Sequence, residues 1–148
     1  VAQATTNSSG LASLSYEIQP LGAGTHTLLV QYDATTNYKA SSVTGTLTIS
    51  KANTTLAANN ATKSRGQVAA LSARLVNVRN SGYVVGRTVT FKIDSTAVGT
   101  GTTGADGYAR YSYSVPSNAT VGAHTITAVF AGDTSYNTST GSATLTVN

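Results

Sequence analysis

The chain has 148 residues, of which 40% are hydrophobic and only 9% are charged, and it contains no Cys, Met or Trp. Without cysteine it has no disulfide, thiolate metal ligand or thiol nucleophile, and no stretch approaches the about 20 apolar residues of a membrane-spanning helix. The net charge of +4 comes from dispersed basic residues. A nucleic-acid-binding surface has a concentrated basic patch, so we expect neither a nucleic-acid partner nor a membrane span in this segment.

Residues 1–50 have the pattern of short β-strands. Val and Thr are frequent, and these β-branched residues suit a pleated strand better than a helix. Apolar and polar side chains alternate, as expected of strands with one buried face. The residues predicted to face a core are Ala12, Leu14, Tyr16 and Ile18, then Leu28, Val30 and Tyr32, and then Leu47 and Ile49.

Residues 54–148 continue this pattern after a short linker at 51–53. The first predicted strand is Thr54–Ala58, and a short strand near Ala97–Thr100 leads to the turn at Asp106-Gly107, because Asp-Gly between two alternating runs favours a hairpin. The inward residues of the other strands are Ala69, Leu71, Ala73 and Leu75; Val89, Phe91 and Ile93; Ala109, Tyr111, Tyr113 and Val115; His124, Ile126, Ala128 and Phe130; and Ala143, Leu145 and Val147.

An internal repeat relates the two parts of the chain. The segment GTHTLLVQYDATTNY at Gly24–Tyr38 aligns without gaps with GAHTITAVFAGDTSY at Gly122–Tyr136, and the match extends to both sides. The spacing of about 98 residues is that of one immunoglobulin-type sandwich. Residues 53–101 have no upstream counterpart. We therefore predict an all-β fold in which a complete immunoglobulin-like β-sandwich at 54–148 follows the C-terminal half (strands D to G) of another repeat at 1–50.

Three segments of the complete repeat carry a family resemblance: GRTVTF at Gly86–Phe91, AVGTGTTGADGYARYSYSV at Ala97–Val115, and GAHTITAVFAGD at Gly122–Asp133. Together they resemble the bacterial Ig-like domain repeats of large surface and secreted proteins. The first copy departs from the family's Gly-Asp, having Ala34-Thr35 instead. The resemblance implies a spacer or adhesive module in a repeated array, without catalytic residues.

The two histidines, His26 and His124, occupy the same position in the two copies. Each lies at the start of a strand with inward parity, so packing and a local hydrogen bond explain both, and neither lies in a motif typical of a catalytic triad. The five acidic residues are too dispersed for a calcium-binding loop, although Asp133 stays open as a calcium ligand at a domain junction or as a turn-capping residue. We predict no enzyme activity, no cofactor and no metal site.

Two further features concern the surface. Glycosylation sequons begin at Asn7, Asn53, Asn60, Asn118 and Asn137 and act as acceptors only in a lineage that glycosylates. The loop between the second and third strands of the complete repeat holds Tyr83, Val84 and Val85, and an exposed apolar loop can mark a contact site. The alternative is that the two valines cover the end of the core.

These features favour a non-catalytic stalk or adhesin segment of a repetitive cell-surface or extracellular protein. No signal peptide opens the chain, so we expect any export signal upstream of Val1. The half repeat would be completed either by neighbouring repeats of the same polypeptide or by strands from another copy, which would build a filament. The alternative function is a carbohydrate-binding accessory module of a secreted enzyme, with Tyr83 and Tyr108 as the exposed aromatic pair and cell-surface glycans as partners.

Overall fold

The computed structural model describes residues 2–17 and 22–148, which contain ten β-strands and no helix. The chain forms two compact units, Val1–Ile49 and Ser50–Asn148. The first unit holds β1 (Gly24–Tyr32) and β2 (Ser41–Ile49). The second holds β3 (Thr54–Ala58), β4 (Ala61–Lys63), β5 (Val68–Asn77), β6 (Thr88–Ile93), β7 (Thr96–Thr102), β8 (Tyr108–Ser114), β9 (Gly122–Phe130) and β10 (Ser139–Val147).

The second unit is a sandwich of two β-sheets. One sheet has five strands in the order β4-β10-β9-β6-β7, and the other has three in the order β3-β5-β8. Every pairing is antiparallel except that of β4 with β10. The predicted all-β sandwich is therefore confirmed. Strand β4 was not predicted, because three residues are too few to show an alternating pattern.

The core lies between the two sheets and contains most of the predicted inward residues. Tyr111, Tyr113 and Ala143 are only partly buried against it, and His124, also predicted to face inward, is not part of it. Its largest fully buried side chains are Phe91, Leu71, Leu75, Ile126, Leu145, Val89, Val147 and Thr103. Each buried Leu, Ile or Phe side chain contributes about 1.5–3 kcal/mol relative to exposure. Thr103 was not predicted to be buried. The backbone N–H of Arg87 donates to its hydroxyl over 2.9 Å, which satisfies a polar group that would otherwise be costly to bury.

Glycine lets the sheets approach closely at both margins of the sandwich. At one margin β3 crosses β10, and a Cβ atom on Gly141 would overlap the carbonyl oxygen of Leu56. At the other margin a Cβ atom on Gly101 of β7 would overlap the backbone of Arg110 in β8. Because any side chain at these positions would force the sheets apart, the two glycines are required for the observed packing.

The first unit is a single antiparallel hairpin whose register repeats that of β9 and β10. In the first hairpin the pairs run from Gly24↔Ile49 to Tyr32↔Ser41. In the second they run from Gly122↔Val147 to Phe130↔Ser139. Each of the four residues at the ends of the first hairpin is the same number of residues ahead of its equivalent in the second. The two copies therefore share one hairpin register.

A turn ahead of each hairpin is also repeated. In the first unit the N–H of Asn7 donates to the carbonyl of Leu11, and that of Gly10 to Asn7, each over 2.9 Å. In the second unit the N–H of Gly104 donates to Tyr108 over 3.0 Å, and that of Gly107 to Gly104 over 2.9 Å. The glycines have φ values of 77° and 75°, a region that glycine adopts without steric cost.

One predicted strand of the half repeat is absent. Residues 12–17 form no strand, and Ile18 lies outside the described residues. The equivalent strand of the second unit, β8, pairs with β5, and β5 belongs to the segment that has no counterpart in the first unit. Without that partner, the predicted inward side chains of the first unit are exposed, by 53% at Leu14 and 61% at Tyr16.

Candidate functional site

The predicted contact loop divides into one buried and two exposed residues. Val84 is 2% exposed and packs in the core, whereas Tyr83 and Val85 are each 49% exposed. The N–H of Val84 donates to the carbonyl of Leu75 over 3.1 Å. This bond turns the loop so that Val84 covers the end of the core, and only Tyr83 and Val85 are accessible to a partner.

The side chain of Arg74 lies between two tyrosine rings. Its guanidinium carbon is 4.1 Å from the ring centre of Tyr83 and 5.3 Å from that of Tyr108. Arg110 lies 5.1 Å from the ring centre of Tyr108. Such cation–π contacts contribute about 0.5–1 kcal/mol at exposed sites. The two tyrosines expected to form an aromatic platform for sugars therefore stack on arginine instead.

Sequence reasoning missed this stack, although part of its signal was present. Arg74 and Tyr108 are direct cross-strand partners between β5 and β8, so their side chains share one face of the sheet. Tyr83 is brought to the same place by an isolated bridge with Val76, which no periodic pattern predicts. Glycan binding at Tyr83 and Tyr108 stays a prediction.

Asp106 fixes the turn between β7 and β8. Its carboxylate accepts from the N–H of Tyr108 over 3.1 Å and pairs with Arg110 at 2.6 Å. The hydrogen bond from Arg110, followed by that from the Tyr108 N–H, lowers the pKa of Asp106 to about 2. The pair is exposed to solvent, and exposed ion pairs contribute little to stability. The role of this aspartate is to shape the turn.

His124 has an acceptor at each ring nitrogen. Its Nδ1 lies 2.5 Å from a carboxylate oxygen of Asp94, and its Nε2 lies 2.9 Å from the carbonyl oxygen of Thr120. The hydrogen bond to Asp94 and then that to Thr120 raise the pKa of His124. Bonds from His124 and from the N–H of Thr125 lower the pKa of Asp94. The imidazolium form, with two N–H donors, matches both acceptors.

The same hydrogen bonds determine whether His124 can act as a base toward the hydroxyl of Thr120. Thr120 Oγ1 lies 3.3 Å from Nε2, and Asp94 bonds to Nδ1. A hydroxyl, a histidine and a carboxylate therefore follow one another in the order found in a catalytic triad. A general base needs a free lone pair on the nitrogen that faces the hydroxyl. In the imidazolium form Nε2 donates to the nearer carbonyl oxygen, so this form has no lone pair for the hydroxyl proton. His26 repeats the bond to the carbonyl four residues earlier, at Gly22, over 2.9 Å.

Asp133 caps a turn and pairs with Arg87. One carboxylate oxygen accepts from the N–H groups of Ser135 and Tyr136 over 2.7 and 2.8 Å. The other lies 2.5 Å from Nε of Arg87, an ion pair whose N–H is not aligned as a hydrogen bond. Burial works to raise the pKa of Asp133, but these backbone bonds and Arg87 outweigh it and lower the pKa. The carboxylate that was open as a calcium ligand is thus occupied by protein donors.

The five sequon asparagines are all exposed, and most hold local contacts. Asn7 Oδ1 accepts from two turn N–H groups over 3.0 Å, and Asn118 lies in the turn after β8. Asn137 Nδ2 donates to Asn53 Oδ1 over 2.7 Å. Asn60 Oδ1 accepts from the N–H of Thr144 over 2.8 Å. Glycosylation stays a prediction, and at Asn137 it would modify the same nitrogen that donates to Asn53.

Neither a metal site nor a membrane helix is found in the part of the chain that the structure describes. Within residues 2–17 and 22–148, no group of three His, Asp or Glu side chains is placed to hold a metal ion. The same residues include no helix with the length and apolar character that a bilayer span requires.

Comparison with known proteins gives a family match and a set of similar solved structures. A profile of the bacterial Ig-like domain (group 3) family matches residues 54–148. The fibronectin(III)-like modules of Clostridium thermocellum CbhA superimpose with a TM-score of 0.50 at 15% identity. That alignment covers 88% of this chain and 66% of the other, and at such low identity it shows the fold alone. No curated protein matches the chain.

The family match covers every strand of the complete repeat, from β3 to β10. It agrees with the resemblance carried by Gly86–Phe91, Ala97–Val115 and Gly122–Asp133. Bacterial Ig-like domains occur in surface or secreted proteins. The chain belongs to the bacterial Ig-like domain family.

Proposed function

We propose that this chain is a non-catalytic segment of an extracellular stalk or adhesin built from tandem Ig-like repeats. In this proposal residues 1–50 are the C-terminal half of one repeat, residues 51–53 are a linker, and residues 54–148 are the next repeat. Family membership supports a structural module of a surface or secreted protein. The observation that carries the stalk function is the parallel pairing of β4 with β10.

This pairing joins the two ends of the complete repeat. Ala61, Thr62 and Lys63 pair in parallel with Leu145, Thr146 and Val147. The ladder continues beyond the strands, where the N–H of Asn148 donates to Lys63 over 3.1 Å and that of Arg65 donates to Asn148 over 3.3 Å. Strand β4 lies near the start of the repeat, and β10 lies at its end.

The geometry determines how the repeat responds to tension. A pull at the two ends of the repeat slides β4 and β10 past each other along their length, because the strands run in the same direction. Parallel pairs have evenly spaced hydrogen bonds, so this shear strains all of them at once. An antiparallel hairpin pulled at its two ends instead opens one pair at a time. The complete repeat is therefore suited to transmit force, as a stalk must.

The connection to the half repeat supports the same function. Ala52 exchanges two backbone bonds with the loop between β9 and β10, donating to Ser135 over 2.8 Å and accepting from Asn137 over 2.9 Å. The carbonyl of Asn53 accepts from Val78 over 2.9 Å. Only Ser50 and Lys51 separate β2 from this bonded segment, so few unbonded residues lie between the two units along the chain.

Single-molecule stretching tests the proposal. The chain has no native cysteine, so Ser50→Cys and Asn148→Cys give two defined attachment points across the complete repeat. We expect one abrupt unfolding event that releases about 330 Å of chain, at about 3.3–3.6 Å per extended residue. Gradual extension at low force would contradict the proposal.

Two neighbouring asparagines supply a matched pair of variants. Asn60 Oδ1 accepts from the N–H of Thr144 in β10 over 2.8 Å, and Asn59 Nδ2 donates to Ser72 in β5 over 3.0 Å. Each Asn→Ala change removes one exposed side-chain hydrogen bond, but only Asn60 links the two ends of the repeat. We expect Asn60→Ala to lower the unfolding force more than Asn59→Ala. An equal reduction would mean that the β4–β10 pair does not resist the pull.

A further inference from the structure

Hairpin β1–β2 presents an uncovered apolar face. The inward positions Leu28, Val30, Tyr32 and Val43 are 51%, 54%, 43% and 64% exposed. The residues of β9 equivalent to the first three are Ile126, Ala128 and Phe130, which are 0%, 0% and 3% exposed. Exposed apolar patches of this kind mark contact surfaces. Because the registers of the two hairpins are the same, the covering of β9–β10 shows what the face of β1–β2 is shaped to contact.

The face of β9–β10 is covered by the sheet β3-β5-β8. Residues 12–18 of the first unit are equivalent to most of β8, so the chain itself carries that strand of the missing sheet. The equivalents of β3 and β5 belong to the first half of an Ig-like repeat. The matching occupant of the β1–β2 face would be such a first half, which would also give residues 12–17 the strand partner they lack.

The two hairpins differ where β3 crosses. In the complete repeat, Gly141 and Ala128 form a cross-strand pair of small residues, and a Cβ atom on Gly141 would overlap the backbone of Leu56 in β3. In the first hairpin the equivalent pair is Val43 and Val30. Two valines occupy the space into which the backbone of β3 would have to fit. Overpacking of this kind forces backbone and side chains apart.

We propose that the β1–β2 face binds the first half of a neighbouring repeat that has less bulk opposite Val30 and Val43 than residues 54–101 have. It follows that the first half carried by a second copy of this chain is rejected. Stoichiometry adds that copies of this chain alone would leave one hairpin per copy uncovered, because each copy holds two such hairpins and only one first half. This inference rests on the tandem-repeat function and specifies its partner.

Extension of the chain with its own first half tests the inference. Residues 53–101 are joined to Thr5, so that they precede the half repeat as they precede Thr102 in the complete one. The readout is backbone amide hydrogen exchange, which slows where a strand is covered and locally stable. With the natural hairpin we expect the β1 and β2 amides to exchange within about threefold of their rates in the original chain. With Val30→Ala and Val43→Gly together, we expect exchange to slow by about tenfold or more.

Two controls accompany this comparison. Leu29→Ala removes an apolar side chain from the opposite face of β1, where Leu29 is 60% exposed, and should leave the extended chain unchanged. The amides of β9 and β10 in the same samples report whether the complete repeat is folded. Slow exchange there together with fast exchange in β1–β2 assigns the difference to the first hairpin.

Each contrary outcome overturns a defined part of the inference. Equal protection with the natural hairpin and with the Val30→Ala/Val43→Gly variant would show that the two valines do not exclude residues 54–101. Absence of protection in both would show that the face does not bind a first half. Protection of β1–β2 in the original chain that grows with protein concentration would identify a second copy as the occupant. The stretching of the complete repeat is independent of all three, so failure of the stalk function is recognised separately.

Discussion

Hairpin β9–β10 buries its inward face beneath the three-stranded sheet, whereas hairpin β1–β2, with the same register, leaves the equivalent face open. The turn ahead of each hairpin is also formed in both units, with the same hydrogen bonds at Asn7–Leu11 and Gly104–Tyr108. Strand β8, by contrast, forms only where β5 is present to pair with it. The comparison separates what adjacent residues specify, turns and hairpin register, from what requires a distant segment, the third strand and the core.

The largest expected difference between the units comes from removing equivalent side chains. Ile126 is fully buried and Leu28 is 51% exposed. We expect Ile126→Ala to lower the free energy of unfolding of the second unit by about 2–5 kcal/mol, since it leaves a cavity in the core. Leu28→Ala should change stability by less than about 0.5 kcal/mol. Urea unfolding followed by circular dichroism measures both, and similar losses would mean that the face of β1–β2 is covered.

A smaller effect is expected from adding a methyl group to each unit. Gly141→Ala places a Cβ atom against the backbone of Leu56, whereas nothing lies within 4 Å of the Cβ position of Gly45. We expect Gly141→Ala to destabilise the second unit by about 1–3 kcal/mol through overpacking. Gly45→Ala should be neutral or slightly stabilising, because alanine loses less backbone entropy on folding. Thermal unfolding of the two variants is the measurement, and an unchanged midpoint for Gly141→Ala would contradict the observed close approach of β3.

The smallest effect is a pH dependence that arises from the Asp94–His124 pair of the second unit. The raised pKa of His124 means that its contribution to stability is present below the ordinary value of 6.5 and is lost as pH rises through the folded value. The lowered pKa of Asp94 means that its contribution is present above the ordinary value of 3.8 and is lost as pH falls through the folded value. The pair therefore stabilises most between about pH 4 and pH 6.5.

Histidine variants in the two copies measure this effect. We expect His124→Gln to abolish the loss of stability that sets in as pH rises above about 6.5, as followed by the thermal midpoint. His26→Gln is the control, because His26 bonds to the carbonyl of Gly22 and, among the described residues, pairs with no carboxylate. If both substitutions altered the pH profile equally, the Asp94–His124 pair would not be its source.

The alternating pattern predicted every strand of the complete repeat except β4 and identified most of its core. Alternation reports which side of a strand is buried, so Leu71, Phe91 and Ile126 were correctly placed. It does not report whether a covering sheet exists, which is why Leu28 and Val30 were expected to face a core. The burial of Thr103 depends on a hydrogen bond from Arg87, which lies in a loop and follows no period.

The surface contacts were harder to predict, since they join residues that are distant in sequence. The repeated position of the two histidines was visible, but the carboxylate of Asp94 reaches His124 across 30 residues. Arg74 and Tyr108 could have been matched from strand register, whereas Tyr83 reaches them through an irregular loop. Asp133 was correctly considered a turn-capping residue, and its ion pair with Arg87 was not anticipated.

The bonds made by Ala52 and Asn53 have a consequence for how such a module is copied or transplanted. The family match begins at Thr54, yet two residues ahead of it are hydrogen-bonded to Ser135, Asn137 and Val78. A gene segment cut at Thr54 would strip the loop between β9 and β10 of its partner strand. A segment that starts at Lys51 carries all of these bonds with it.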